Sequence, residues 1–361
     1  MDLKNTPLLE RHKGLSAKMA PFGGWLMPIQ YKGILEEHNW TRTNVSIFDI
    51  CHMGEFIIEG SPDAAGLDRI CTHDFSGMPL NSCKYGFMLN DNAGIIDDLI
   101  VYKLGDNKWM LVVNAATTEK DRNHILGNLK DKDAFKDISA ETAKLDVQGP
   151  GSLEIIRSIA GEKIEKLSYY EFSVFKILQE DAIISRTGYT GELGFEIYIN
   201  MKDALKIWDM ITSKPDVRPA GLGARDTLRL EMGYVLYGQD IDDNISPVEA
   251  GMDRFIDFDK DFIGKDALIM KKGLHDRKLT YFECVSRRSP RHNYKILKDD
   301  QEIGVVTSGS YSPSLSRGIG MGYIEKIHDK PGTKINVVSK NVNIDAEISK
   351  RPFYKKGTAR R

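Results

Sequence analysis

The sequence predicts an α+β protein that ends in a small β-barrel, and three observations carry that expectation. Between Ile57 and Ala116 short β-branched runs alternate with helical stretches, without the regular strand–helix–strand period of a parallel sheet. From Leu279 to Lys350 the pattern turns strand-rich, with turn formers at Asp299-Asp300, Ser308-Gly309-Ser310 and Lys330-Pro331-Gly332, as in a small closed all-β unit. A charged stretch, Lys271 to Lys278, separates the two textures, and 361 residues with 41% hydrophobic content exceed a single typical core.

Each element has its own signal. Leu8 to Met19 places Leu8, Leu9, Leu15 and Met19 at helical spacing among charges, and Pro21-Phe22-Gly23-Gly24 ends it. A second helix is expected over Ile34 to Asn44, after which Phe48 to Phe56 enters strand. Ser61 to Cys71 reads as helical, Thr118 to Lys130 as an amphipathic helix, Leu145 to Pro150 as a strand running into a turn, and Ser152 to Ala160 as a helix. Ala182 to Asn200 interleaves Gly188, Gly191 and Gly194 with Tyr189, Glu192 and Glu196, which predicts a hairpin open enough for a planar ligand to approach the backbone. It has neither the Gly-Lys-Ser/Thr ending of a P-loop nor a G-x-G-x-x-G turn between strand and helix. Arg218 to Asp226 opens a helix to about Glu231. Arg225 at that helix start opposes the helix dipole unless an anion joins it, so it is a candidate for gripping a ligand carboxylate. The alternative is an ion pair with Asp226 or another acid of the chain. Acids from Asp240 to Asp261 lack the alternation of a calcium loop, which predicts a solvated face.

Composition excludes several classes. Fifty Lys and Arg against 52 Asp and Glu leave a formal charge of −2, too little to draw in nucleic acid or an anionic membrane. Cys51, Cys71, Cys83 and Cys284 show no CxxC spacing, which argues against a zinc knuckle or disulfide framework and predicts a reducing compartment. The eight histidines form no HxH, HxxxH or HExxH pair, so no metal is expected and His52 is read as a single hydrogen-bonded histidine. The first residues carry no apolar signal region and no run reaches the roughly eighteen residues of a membrane span, so a cytoplasmic protein is expected. Two basic patches, Arg287-Arg288-Arg291-His292-Lys295 and Lys350-Arg351-Lys355-Lys356-Arg360-Arg361, point to an acidic partner or a ligand carboxylate tail.

The most informative stretch is Asn90 to Tyr102, where two carboxylates interrupt a β-branched run. Asn90 to Gly94 are turn formers and Ile95 to Tyr102 a strand, so Ile96, Asp98, Ile100 and Tyr102 share one face while Asp97, Leu99 and Val101 share the other. A second strand, Trp109 to Val113, follows the turn Gly105-Asp106-Asn107-Lys108 and ends in Asn114. Paired as a hairpin, the two offer a wall of Asp98, Tyr102, Val112 and Asn114 suited to a flat, polar-edged ring.

These motifs resemble a known family. GIIDDLIVY, VVNAA and EKD, together with FGGWLMP, FDICHMGEF, SRTGYTGELGFE, RPAGLGARDTLRLE, YGQD, TSGSYSPSL and KRPFY, are similar to the aminomethyltransferase, or T-protein, family of the glycine cleavage system, from Thr6 to Tyr354. The resemblance implies a folate-binding catalytic unit over 1–270, with two α+β lobes at roughly 1–50 with 142–270 and 51–141. A C-terminal β-barrel over 278–361 follows, all arranged around a central hole. It implies a transferase that takes an aminomethyl group from lipoylated H-protein, makes methylenetetrahydrofolate from tetrahydrofolate, and releases ammonia. The family's catalytic acid falls on Asp98, the second of the pair, leaving Asp97 structural. Tyr189 and Glu196 would hold the pterin, with Arg225 on a folate carboxylate or ordering Glu196. Met53 is a packing contact, and Tyr85, Tyr102, Val112, Asn114, Tyr170 and Tyr234 are wall contacts. Arg291 would meet the acidic partner or the ligand tail. Cys51 stands where the family more often has Ser. Two alternatives are a folate-dependent demethylase, whose amine-oxidising members carry a flavin domain for which no residues remain, and a non-catalytic folate-binding protein, whose relatives lack the acid present here.

Overall fold

The computed structural model describes residues 3–360. Strands β1 (Lys4–Asn5), β2 (Lys18–Phe22) and β3 (Trp25–Gln30) form a small sheet in the order β1-β3-β2. The helix expected over Leu8 to Met19 occupies only Leu9–Gly14; Ser16 then takes φ 56° and the chain enters β2. Pro21 is tolerated there because β2 is an edge strand.

The mixed region continues with β4 (Val45–Asp49), β5 (Gly54–Glu59), β6 (Cys83–Leu89), β7 (Ile95–Gly105), β8 (Lys108–Val113) and β9 (Phe135–Asp137). After these come β10 (Thr142–Gln148), β11 (Phe172–Ile177), β12 (Glu180–Ser185), β13 (Gly194–Asn200) and β14 (Val217–Pro219). They assemble into a six-stranded sheet, β11-β12-β13-β10-β4-β14, and a five-stranded sheet, β6-β7-β8-β5-β9. Helices occur at Ile34–Thr43, Thr118–Asn128, Ser152–Ala160 and Leu222–Glu231, close to expectation. Ser61 to Cys71 instead divides into Pro62–Ala65 and Leu67–Ile70, because Gly66 between them adopts φ 88°.

Alternation along β10 positions the site. Leu145 and Val147 point into a core with Val45, Ile47, Phe195 and Ile197, closed by Ile155, Ile156, Ile207, Trp208 and Ile211 of two helices. Burying each such side chain contributes about 1.5–3 kcal/mol. The odd-numbered face being apolar, Lys144, Asp146 and Gln148 occupy the other face, beside Glu196 and Tyr198 of β13, and all five are buried. A second core cluster of Ile57, Cys83, Tyr102, Met110, Val112, Phe172 and Tyr198 draws on both sheets.

The last six strands are β15 (Arg277–Cys284), β16 (Lys295–Lys298), β17 (Gln301–Ser312), β18 (Arg317–Glu325), β19 (Lys334–Ser339) and β20 (Val342–Ser349), which close into a barrel. Its interior holds Phe282, Ile296, Val306, Val337, Ile344 and Ile348. Asp299 and Asp300, at φ 50° and 63°, make the tight turn between β16 and β17. Ser308-Gly309-Ser310 is not a turn but lies inside β17, just after a register shift between Val306 and Ser308. Gly309 is there because a Cβ would stand 2.7 Å from the Pro290 carbonyl oxygen. Asp240 also departs from its expected solvated face: it is 1% exposed and bonds Arg229 at 2.8 Å and Ser308 at 2.9 Å. Burial requires that pairing, whereas Asp243, Asp253, Asp259 and Asp261 are exposed. Overall the chain comprises two compact units, one of Met1–Gly86, Asp98–Arg225 and Gly357–Arg361, the other of Phe87–Asp97 and Asp226–Lys356.

Candidate active site

Strands β7 and β8 pair as a hairpin with Ile100 opposite Val112 and Tyr102 opposite Met110. Asp97 is fully buried and Asp98, on the opposite face, is half-buried. One carboxylate oxygen of Asp98 accepts from the Tyr85 hydroxyl at 2.8 Å, and the other from the Asn114 amide at 2.8 Å. Two donors aimed at one anion hold it in a single orientation. Burial, and next the Asp98 carboxylate, push the Tyr85 phenol well above its usual pKa, so it remains a donor.

In the first unit the polar face of β10 carries a second constellation. Asp146 and Glu196 stand directly opposite in the antiparallel register, a repulsive arrangement unless cations intervene. Lys144 Nζ lies 2.9 Å from Glu196 Oε1, and the Thr187 hydroxyl donates to Glu196 Oε2 at 2.5 Å. Arg225 Nη1 lies 2.6 Å from Asp146 Oδ2, and its guanidinium sits 4.9 Å over the Tyr189 ring. Burial works to raise Glu196, but Lys144 and Thr187 outweigh it and hold the carboxyl below its ordinary range. Asp146 is pushed up to about 6 by burial, with Arg225 opposing and Glu196 adding to the rise. Arg225 therefore follows the ion-pair alternative with Asp146, while Asp226 pairs with Arg229. Neither Lys144 nor Asp146 was singled out in the sequence; the alternation Lys144-Leu145-Asp146-Val147-Gln148, polar on every second residue, was the available signal.

Two more buried groups adjoin this layer. Glu55, 1% exposed, has an Oε1 without a hydrogen-bond partner among the described residues, and burial raises its pKa to about 8, so it keeps its proton at neutral pH. His52 packs edge-on against Phe22 at 5.6 Å, and its Nδ1 has no hydrogen-bond partner among the described residues, contrary to the hydrogen-bonded histidine expected. Burial, helped by Arg225 and Lys144, lowers its pKa to about 4 and keeps it neutral. The Cys51 thiol donates to the Lys144 carbonyl at 3.4 Å.

The remaining candidates divide by depth. Met53 Sδ lies 3.6 Å from Lys144 Nζ. Tyr102 is wholly buried, its hydroxyl 2.8 Å from that of Tyr198 and 3.1 Å from Ser185 Oγ, and Val112 lies in the same core. These two back the wall rather than face it. Tyr170 is half-buried at φ 69°, its ring 4.8 Å from Tyr169. Two glycines of the 188–194 segment make room for a neighbouring side chain. A Cβ on Gly188 or Gly194 would stand 2.2 or 2.0 Å from Gln148 Nε2, so both are small to admit the Gln148 amide. In the second unit Tyr234 is half-buried with its carbonyl accepting from Arg229 at 2.9 Å, and exposed Arg291 lines a cavity of about 360 Å³ with Arg288, Tyr294 and Asn341. Among the described residues no group of three or more His, Cys, Asp or Glu is placed to hold a metal ion.

Comparison with known proteins places this geometry in context. Residues 8–260 match the GCVT N-terminal domain and residues 277–355 the glycine cleavage T-protein C-terminal barrel domain. The chain is 44% identical over 357 residues to an aminomethyltransferase of Halothermothrix orenii, covering 97% of this chain and 100% of that one. It is 42% identical over 364 residues to an aminomethyltransferase of Thermotoga petrophila, covering 99% and 100%. The crystal structure of glycine cleavage system aminomethyltransferase T from Bartonella henselae superposes with a TM-score of 0.91 at 29% identity, covering 99% of each chain. Matched along both its mixed region and its barrel, the chain belongs to the glycine cleavage T-protein family.

Proposed function

We propose that this chain is a tetrahydrofolate-dependent aminomethyltransferase of the glycine cleavage system. It takes the methylene of the aminomethyl group on lipoylated H-protein, passes it to tetrahydrofolate and releases ammonia. The observation that carries the reading is a half-buried Asp98 carboxylate, fixed by Tyr85 and Asn114, in a chain of this family.

The residues fit a reduced pterin. Its amide and amino edge offers adjacent N–H donors, and Glu196, kept ionised by Lys144 and Thr187, retains lone pairs to accept them. Tyr189 supplies a flat face braced by Arg225, whose charge also helps keep Glu196 ionised. Met53, Tyr85, Asn114 and Tyr170 serve as wall contacts, with Tyr102 and Val112 behind them. Tetrahydrofolate supplies the nucleophilic nitrogens that take up the methylene. As ammonia and the lipoyl thiol leave the carbon in turn, each replaced by a folate nitrogen, positive charge develops on the transferred carbon, and the oriented Asp98 carboxylate stabilises it and relays a proton. Tyr85 and Asn114 keep that carboxylate in place through the transfer. Arg291, at the rim of the barrel, receives the acidic lipoyl-bearing partner. The first compact unit carries the catalytic Asp98, the barrel of Arg277–Ser349 receives the partner, and the protein works in the cytoplasm.

The test is direct: incubate the chain with aminomethylated lipoyl H-protein and tetrahydrofolate, and measure methylenetetrahydrofolate and ammonia. Equal amounts of the two products are expected. Turnover of free methylated amines instead would indicate a demethylase, and folate binding without turnover a binding protein.

A further inference from the structure

The residues from Gly357 onward belong to the first compact unit, and they close on the glycine-rich hairpin that carries Tyr189. The Thr358 hydroxyl donates to Glu192 Oε2 at 2.6 Å and accepts from the Leu193 N–H at 2.8 Å, while the Ala359 N–H donates to the Gly191 carbonyl at 3.1 Å. The approach is close enough that a Cβ on Gly357 would stand 2.4 Å from the Gly191 oxygen. Glu192 is 2% exposed, and its other oxygen accepts from Arg42 Nη1 at 2.9 Å. It is thus a buried carboxylate satisfied in part by the tail.

From Glu192 the bonds continue inward. Its N–H donates to Thr190 Oγ1 at 3.1 Å, the Thr190 hydroxyl donates to Gln148 Oε1 at 2.6 Å, and Gln148 Nε2 donates to Asp146 Oδ1 at 2.7 Å. Asp146 takes Arg225, over which Tyr189 lies. A second tie runs through Arg360, whose guanidinium sits 5.9 Å from the Tyr169 ring that packs on Tyr170. Two of the aromatic residues read above as pterin contacts, Tyr189 and Tyr170, are therefore anchored, at one remove, by Thr358 and Arg360.

We propose that Thr358 is a positioning residue for folate binding, fixing the 185–194 hairpin through Glu192 and Gln148 so that Tyr189 is held against Arg225. The proposal rests on the reading of Tyr189 and Arg225 as pterin-side residues. Thr358→Val keeps the branched shape and removes both hydroxyl bonds, and Thr358→Ser keeps the hydroxyl. In the full chain, Thr358→Val should raise the KM for tetrahydrofolate about tenfold, equivalent to about 1.4 kcal/mol. At saturating folate, kcat and the KM for H-protein should stay within about twofold of wild type, and Thr358→Ser should restore the folate KM. Amide hydrogen exchange at Leu193 should quicken in the Val variant and not in the Ser variant. A folate KM unchanged in Thr358→Val, or one that Thr358→Ser fails to restore, overturns the proposal; so does a lowered melting temperature with the KM unmoved, which is the mark of a purely structural tail. If the wild-type chain neither binds nor turns over folate, the functional reading falls and the positioning role for folate falls with it. Exchange at Leu193 then reports only whether the tail holds the hairpin.

Discussion

Replacing Asp98 by Asn separates charge from shape at the point where the chemistry is placed. The Asp98 carboxylate accepts from Tyr85 on one oxygen and Asn114 on the other, each at 2.8 Å. An amide has one acceptor oxygen, so either Tyr85 or Asn114 must face an NH₂ group and lose its acceptor. A lost partner at a half-buried donor costs about 1 kcal/mol of stability, small against the roughly 5–15 kcal/mol of a folded domain. The variant should therefore fold. Loss of positioned acid–base and electrostatic help is worth about 10²–10⁴ in rate, or about 2.7–5.4 kcal/mol at about 1.36 kcal/mol per decade. Single-turnover formation of methylenetetrahydrofolate, at saturating donor and folate, should fall by that factor. The folate dissociation constant, read by quenching of protein fluorescence, should change less than about threefold. Asp97→Asn, on the buried opposite face, should lower the rate far less while lowering the unfolding midpoint. Equal rate losses in the two variants, or near-normal turnover in Asp98→Asn, would refute both the strand-parity argument and the catalytic assignment.

Glu196→Ala should weaken folate binding by about 2–5 kcal/mol, and because it also strands the buried Lys144, the double variant Glu196→Gln, Lys144→Met should recover part of the lost stability; calorimetric titration and urea unfolding test the two halves. Arg291→Glu should raise the KM for lipoylated H-protein, more at low salt than at high, and leave free aminomethyl-lipoamide untouched; an equal loss with both donors would place Arg291 on the ligand instead. Glu55 bears on pH: its carboxyl is raised from 4.5 to about 8 in the fold, so the folded state holds a proton that the unfolded chain has released. Its contribution is thus complete below about pH 4.5 and declines as pH rises toward 8, at up to about 1.4 kcal/mol per pH unit. Glu55→Gln should flatten that decline and be more stable than wild type at about pH 8.5; parallel pH–stability curves for the two proteins would exclude the assignment.

Much of this molecule was legible where local signals suffice. Strand parity in the Asp97-Asp98 pair, the hairpin to Trp109–Val113 and the barrel after Lys278 follow from side-chain alternation and turn chemistry, which act over a few residues. Reading fell short where a residue's role depends on a partner far along the chain. Gly188 and Gly194 looked like space for a ligand, yet they make room for Gln148, about forty residues earlier. Asp240 looked solvated until Arg229 and Ser308 enclosed it.

By itself the sequence determined the α+β class, the family, and which of two adjacent carboxylates shares a face with Tyr102, because periodicity and motif order are properties of the chain. Only the tertiary structure decided that Arg225 is committed to Asp146, that Lys144 neutralises Glu196, that Glu55 is buried deeply enough to keep its proton, and that Thr358 reaches the hairpin of Tyr189. The reason is that desolvation, Coulomb pairing and hydrogen bonding depend on distance in space: β10, β13 and the Leu222–Glu231 helix bring their charges together from up to about 80 residues apart, and Thr358 brings its hydroxyl to Glu192 from about 170.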